Sequence, residues 1–263
     1  MDQRELIQRM KDYETKEELI EILKNLAYVE NGVKHWNNFR KANPGMEIKL
    51  INVDLQGINL GSGDLPLPNL IDANFQKEDY FRSMLPYILE NAESGVNLDG
   101  AQIVSANLEG ANLQKVSLEN AYIENSSLVG AKVNRVNFFH AYIAGSDFEN
   151  AVLTGSPMLC AFLDSNNLKE ADFTEVMIGK TVFANIDLSE TKGLGKVETN
   201  GPSHITTSTL KRSKGNIPTE FLHKCGFSDW EIELTKLYQP GLSLKERTDI
   251  LQRSYDLRAK QAG

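Results

Sequence analysis

A repeat solenoid is the fold class this 263-residue sequence predicts, and three observations predict it. An apolar residue stands at every fifth position from Leu98 to Leu188, nineteen times without a miss. Two places before each stands a mostly small residue, such as Ala101, Ala106, Ala111, Ser126, Ala141, Ser156 and Ala171, with Asn166 and Ile186 out of character. Over residues 1–44 and 78–94 and in the tail past Gly201-Pro202 the apolar residues recur at helical spacing instead. A period of five fits neither a helix face nor an alternating strand, so it marks an internal repeat.

The motif is plainest in Ala106-Asn107-Leu108-Glu109-Gly110 and Ala111-Asn112-Leu113-Gln114-Lys115. It resembles the pentapeptide-repeat family. The resemblance implies a mainly-β fold, a right-handed quadrilateral β-helix with one pentapeptide per side and four per coil. The large centre and its small companion would both point inward. Every twentieth residue then falls on one side, and the ladders are continuous: Leu98, Leu118, Phe138, Met158, Ile178 on one, Ile103, Ile123, Ile143, Leu163, Phe183 on the next. A single coil cannot bury its own core, so stability comes from stacking neighbours at ~4.8 Å.

Residues 1 to 44 read as helical. Thr15 with Glu18 forms a capping box ahead of Leu19, Ile22, Leu23 and Leu26. Gly32 breaks the pattern, after which Val33, Trp36 and Phe39 recur at helical spacing. The stretch from Gly32 to Pro44 resembles the segment preceding the first coil in many bacterial pentapeptide-repeat proteins. An open coil end needs a cap, which is the expected role of Trp36 and Phe39. Repeats begin at Val53-Asp54-Leu55, and Ala73-Asn74-Phe75 is a further copy. The register then slips by an amount that is not a multiple of five. Glu78 to Ser94 carry Tyr80, Phe81, Met84, Leu85, Ile88 and Leu89 at helical spacing, which predicts an inserted amphipathic helix.

After Leu188 the repeat stops at Gly193, Gly195 and Gly201-Pro202. Helices are expected over Thr206 to Lys211, from Pro218 through Lys224, after a Ser228–Glu231 capping box, and after a Ser243–Glu246 box toward Ala262. Trp230 is the aromatic residue expected in this second cap. The expected division is a helical N-terminal cap over 1–50, a β-helix over 51–192 with its helical insertion at about 78–94, and a helical cap or linker region over 193–263. Gly201-Pro202-Ser203-His204-Ile205, the Ile217 to Gly226 stretch and Tyr255-Asp256-Leu257-Arg258-Ala259 resemble bacterial pentapeptide-repeat proteins in which a Toll/interleukin-1-receptor (TIR) domain comes next. No TIR strand motif or catalytic acid precedes Gly263. Two alternatives stand: a boundary before that domain, or a form lacking it.

The sequence names no catalytic, cofactor-binding or metal-binding residue. Its four histidines are scattered, its two cysteines have no ligand spacing, and no phosphate loop or nucleophile elbow occurs. The N-terminus lacks a signal-peptide core and no apolar run reaches ~20 residues, so the expectation is a cytoplasmic chain without a membrane span. A net charge of −8 argues against direct nucleic-acid binding.

The informative surface is the outer wall. Gln102, Tyr122, Tyr142, Phe162 and Val182 form one outward column, with Phe139, Leu159 and Met177 across the corner. An apolar column on an outer face marks a contact. Either the inserted or C-terminal helices cover it, or it is a face for self-association or a protein partner. The functional expectation is a non-enzymatic interaction scaffold or sensor. By resemblance, its partner is a TIR effector of the NAD-cleaving, anti-phage class. The alternative is a duplex-mimicking binder of DNA gyrase or topoisomerase, suggested by twelve acidic against five basic residues over 94–190.

Overall fold

The computed structural model describes residues 1–13, 15–26, 32–43, 46, 48–51, 55 and 95–261. The inserted helix expected at 78–94, and the early repeats apart from Leu55, lie outside the described residues.

The five-residue period becomes a stacked coil. Strands β1 (Lys49–Ile51), β2 (Gln102–Val104), β3 (Tyr122–Glu124), β4 (Tyr142–Ala144) and β5 (Phe162–Asp164) pair in parallel, each with the next. After the short β6 (Met177–Ile178) on another side, β7 (Val182–Ala184) continues the same sheet. Steps of twenty residues separate the partners from β2 onward, as four pentapeptides per coil require. Tyr122 N donates to Ala101 O and Leu118 N to Asn137 O, so each coil hydrogen-bonds to those below and above it.

Every core centre from Leu98 to Leu188 is buried. So is the companion column two places earlier, and that column is less uniform than the alanines suggest. One side carries Val96, Val116, Val136 and Val176 there, all buried. On another, polar side chains serve the backbone. Ser126 Oγ accepts from Ala106 N at 3.1 Å and Ser146 Oγ accepts from Ser126 N at 3.1 Å. Asn166 Oδ1 accepts from Ser146 N at 2.9 Å while its Nδ2 donates to Ile143 O at 2.9 Å. Asn166 is therefore a satisfied wall residue, and Ile186 fills the same column as a buried apolar one.

The corners close in the left-handed region of backbone space. From Gly100 to Asn185 every fifth residue has positive φ, and only five of these eighteen are glycine. Four are asparagine, the side chain that tolerates this conformation best.

Helices close both ends. At the start, α1 (Gln3–Asp12), α2 (Lys16–Asn25) and α3 (Gly32–Ala42) form, with the Thr15–Glu18 capping box in place. Trp36 is buried, and its Nε1 donates to Asn97 O at 2.8 Å. Asn37 Oδ1 accepts from Asn97 N at 2.8 Å while its Nδ2 donates to Gly95 O at 3.0 Å. Arg40 donates to Asp99 O and Met46 O, both at 2.7 Å. α3 thus satisfies the backbone edge that the first described coil would leave open.

Past Leu188, β8 (Glu198–Thr199) pairs with β6 and β9 (His204–Ile205) with β7. Helices α4 (Thr207–Arg212), α5 (Thr219–Lys224), α6 (Asp229–Thr235) and α7 (Leu244–Gln261) follow. Thr209 Oγ1 accepts from Ile186 N at 3.2 Å, and Ser213 Oγ from Leu188 N at 2.9 Å. These hydroxyls take over the work of the wall serines at the last coil. Glu233 on α6 pairs with Lys236 and, at 2.7 Å, with Arg253 on α7.

Candidate protein-interaction face

In-register parallel pairing stacks equivalent residues directly above one another. On the β2–β5–β7 wall this builds an aromatic ladder. The Tyr122 and Tyr142 rings lie 5.0 Å apart and 3° from parallel. Tyr142 and Phe162 lie 5.4 Å apart and 4° from parallel. Isolated aromatic pairs favour offset or edge-on contacts. Here the coil step imposes the stack. Tyr122 and Tyr142 remain 39% and 37% exposed, and Phe162 and Val182 are half-buried.

The stacking decides what the ladder can bind. The middle ring, Tyr142, spends both faces on its neighbours and offers solvent its edge and hydroxyl. A sugar ring or nucleobase needs an open aromatic face, which Tyr142 does not offer. An apolar side-chain surface packs against edges well. Glu124 and Asp164 stand two residues beyond Tyr122 and Phe162 on the same wall and give the ladder an acidic border. The Glu124 carboxylate, hydrogen-bonded to the Tyr122 phenol, raises its pKa above the usual range.

Two residues of the expected patch do not offer surface. Phe139 and Leu159 are only 2% and 3% exposed and form a satellite cluster with half-buried Met177 and Cys160. The edge-on His140 ring, 4.3 Å away, also packs on Phe139. The patch therefore contracts to the ladder itself. The C-terminal helices leave Tyr122 and Tyr142 open, because α7 docks on α6 instead.

The cap aromatics separate as well. Trp36 and half-buried Phe39 pack together on the coil, 6.4 Å between rings. Trp230 does not plug the far end: it sits under Arg258, 4.9 Å away, in the α6–α7 contact. Phe221 fills the plug position, fully buried. Sequence reasoning also passed over Leu244, Leu251 and Tyr255, which are the most exposed large apolar side chains among the described residues. Their seven- and four-residue spacing on one helix was the available signal.

Chemistry has little footing among the described residues. No group of three or more His, Cys, Asp or Glu could hold a metal there. Burial pushes the Cys225 thiol up to about 12, which keeps it protonated and inert. Of the wall carboxylates, Asp147 accepts from Glu149 N and Asn167 Nδ2, both at 2.9 Å, and Asp187 from Ser189 N at 3.0 Å. Among the described residues no helix is long and apolar enough to cross a membrane.

The pentapeptide-repeat family model matches residues 94–130 and 117–155, with eight copies of the repeat. Residues 94–155 carry the repeat of that family. No curated protein matches the chain. Among solved pentapeptide-repeat structures, one from the Arabidopsis thaliana thylakoid lumen is 26% identical over 32% of this chain and 61% of its own, with a TM-score of 0.23. Rfr23 from the cyanobacterium Cyanothece 51142 is 21% identical over 63% of this chain and 96% of its own, with a TM-score of 0.21. QnrB1, a plasmid-mediated fluoroquinolone resistance protein, is 12% identical over 70% of this chain and 91% of its own, with a TM-score of 0.30. Pentapeptide repeats generally make structural and interaction proteins.

Proposed function

We propose that this chain is a non-catalytic scaffold whose working surface is the aromatic ladder of Tyr122, Tyr142 and Phe162. The observation that carries the reading is the ladder's combination of order and exposure. Stacked rings on a rigid wall lose little entropy on binding, and two of the three remain open to solvent. Tyrosine and phenylalanine are the side chains interface cores favour. On the other walls Val152 is the one large apolar side chain among the described residues that is comparably exposed, which favours a contact on the ladder's side.

The effector we assign to it is a TIR domain of the NAD-cleaving, anti-phage class, acting in the cytoplasm. Only the flank segments at 201–205, 217–226 and 255–259 support that choice, through their resemblance to chains that carry one. The scaffold would set the spacing of such domains or recognise the trigger.

The test is binding of an isolated TIR domain from such a chain, followed by calorimetry, to the wild type and to Tyr142→Asp. Loss of binding in the variant, with an unchanged thermal melt, supports the reading. Equal binding by both removes the ladder from it, and no binding by either removes the TIR partner.

A further inference from the structure

We propose that the exposed stripe of α7 on one copy seats on the aromatic ladder of a second copy, so that chains join head to tail through two different surfaces. This rests on the ladder being a contact face, and makes the helix of a second copy a competitor of the effector domain for it.

The stripe consists of Leu244, Leu251 and Tyr255, exposed by 82%, 52% and 72%. At ~100° per residue they fall within about 40° of arc, one narrow face of the helix. A neighbouring face is already committed: Ile250 and Ser254 are buried toward α6, where Ser254 Oγ donates to Trp230 O at 3.1 Å. Nothing among the described residues covers the stripe.

Charge says what does. Measured from the stripe's centre, the ionisable residues within about 100° are Arg258, which also stacks on Trp230, Arg247 and Lys245, all basic, with Asp256 following at about 120°. Asp249 and Glu246 lie further round the helix. The ladder has the opposite border, in Glu124 and Asp164. The wider fields agree: residues 94–190 carry five basic and twelve acidic residues, whereas 191–263 carry twelve basic and eight acidic. An isologous contact puts the same patch on both sides. Stripe on stripe would bring arginines to arginines, and ladder on ladder carboxylates to carboxylates, both unfavourable. Stripe on ladder pairs opposite signs around apolar centres.

Dimensions match too. Leu244 to Tyr255 spans about 16 Å along the helix at ~1.5 Å per residue. Gln102 to Val182 spans about 19 Å at ~4.8 Å per coil step. A helix lying along the coil axis therefore covers the whole ladder. Such a contact leaves one ladder and one stripe free at the ends of every dimer, so assembly continues to a ring or an open chain.

The experiment uses the full chain in sedimentation velocity, across protein concentration and at low and at about 0.5 M salt, where charge attraction is screened. Wild type should grow beyond the dimer with concentration and retreat in salt. Leu251→Asp and Tyr142→Asp should each be monomeric, with far-UV spectra and melts like the wild type. An equimolar mixture of the two should form a dimer and nothing larger, because only one intact pair of surfaces is present. Tyr255→Ser, at a highly exposed position, replaces Leu251→Asp if that variant does not fold. A mixture that stays monomeric, or a wild type that is monomeric throughout, overturns the proposal. If the Leu251→Asp or Tyr255→Ser chain assembles like the wild type while Tyr142→Asp does not, the ladder stands as a contact face and the stripe falls. If Tyr142→Asp assembles like the wild type, both fall.

Discussion

Phe183 and Phe221 meet edge to face, 5.5 Å between ring centroids and 75° between planes. Phe183 is the last repeat centre of its side's ladder, with Ile205 of β9 in register beyond it, and Phe221 belongs to α5. Helix and coil thus share one continuous core, and the cap is part of the solenoid's packing. Each coil is stabilised chiefly by its neighbours, so removing the plug should act first at that end. Phe221→Ala should cost about 3–5 kcal/mol. Hydrogen exchange should show protection lost first at Phe183 and Leu188, and later at Leu118. Uniform loss along the coil would mean that the cap is not a local plug.

The N-terminal cap works through hydrogen bonds as well as packing. Asn37 holds both a donor and an acceptor of the coil edge, at Gly95 O and Asn97 N. Asn37→Leu keeps the bulk and removes both partners. The uncompensated backbone groups should cost about 1–3 kcal/mol each unless water reaches them. Urea denaturation reads the difference, and a loss below ~0.5 kcal/mol would show that the edge is wet.

Sequence alone showed most of this architecture, because a five-residue period over nineteen rungs marks a repeat and its motif carries the family resemblance that implies a four-sided coil. Helix caps were equally legible: Thr15–Glu18 and Ser228–Glu231 are both formed. Three things were hidden, each decided by contacts outside the period. β1 and β9 extend the sheet from segments that carry no repeat motif. Phe139 and Leu159 occupy outward positions yet are buried, since a position fixes a side chain's direction and not what lies over it. Asn166 looks wrong in a small-residue column until its two backbone partners are seen.

That partnership yields a prediction. Asn166→Ala restores the consensus and still should destabilise, because Ser146 N loses its acceptor and Ile143 O its donor. The expected loss is about 1–3 kcal/mol, measured by urea denaturation. A more stable variant would show that the column wants alanine on packing grounds alone.

Two glycines at positive φ should respond differently to alanine. A Cβ at Gly110 meets nothing within 4 Å, so Gly110→Ala carries only left-handed strain, about 1–2 kcal/mol. A Cβ at Gly193 would stand 2.4 Å from Thr174 N, a backbone atom that cannot swing away. Gly193→Ala should lower the melting temperature clearly more than Gly110→Ala does. Equal shifts would mean that the chain at Gly193 yields easily.

Glu233 gives the C-terminal helices a pH dependence. Burial pushes its carboxyl pKa up, but Lys236 and Arg253 more than offset this and hold it below the usual range. The folded carboxyl therefore binds its proton less readily than the unfolded one. Its stabilisation is complete above the ordinary glutamate value of ~4.3 and is lost as pH falls through the lower folded value. The cap residues Glu231 and Glu246 are also held low, by Ser228 and Ser243, and act in the same direction. The comparison must therefore isolate Glu233. Trp230 reports on the α6–α7 contact, so its fluorescence between about pH 6 and 3 should reveal acid loosening in the wild type. In Glu233→Gln that loosening should shrink, because both states of the variant are neutral at this position throughout. The variant should also be less stable near pH 7, since Arg253 loses a carboxylate partner while staying charged. An acid transition identical in both proteins would assign it to the capping glutamates instead.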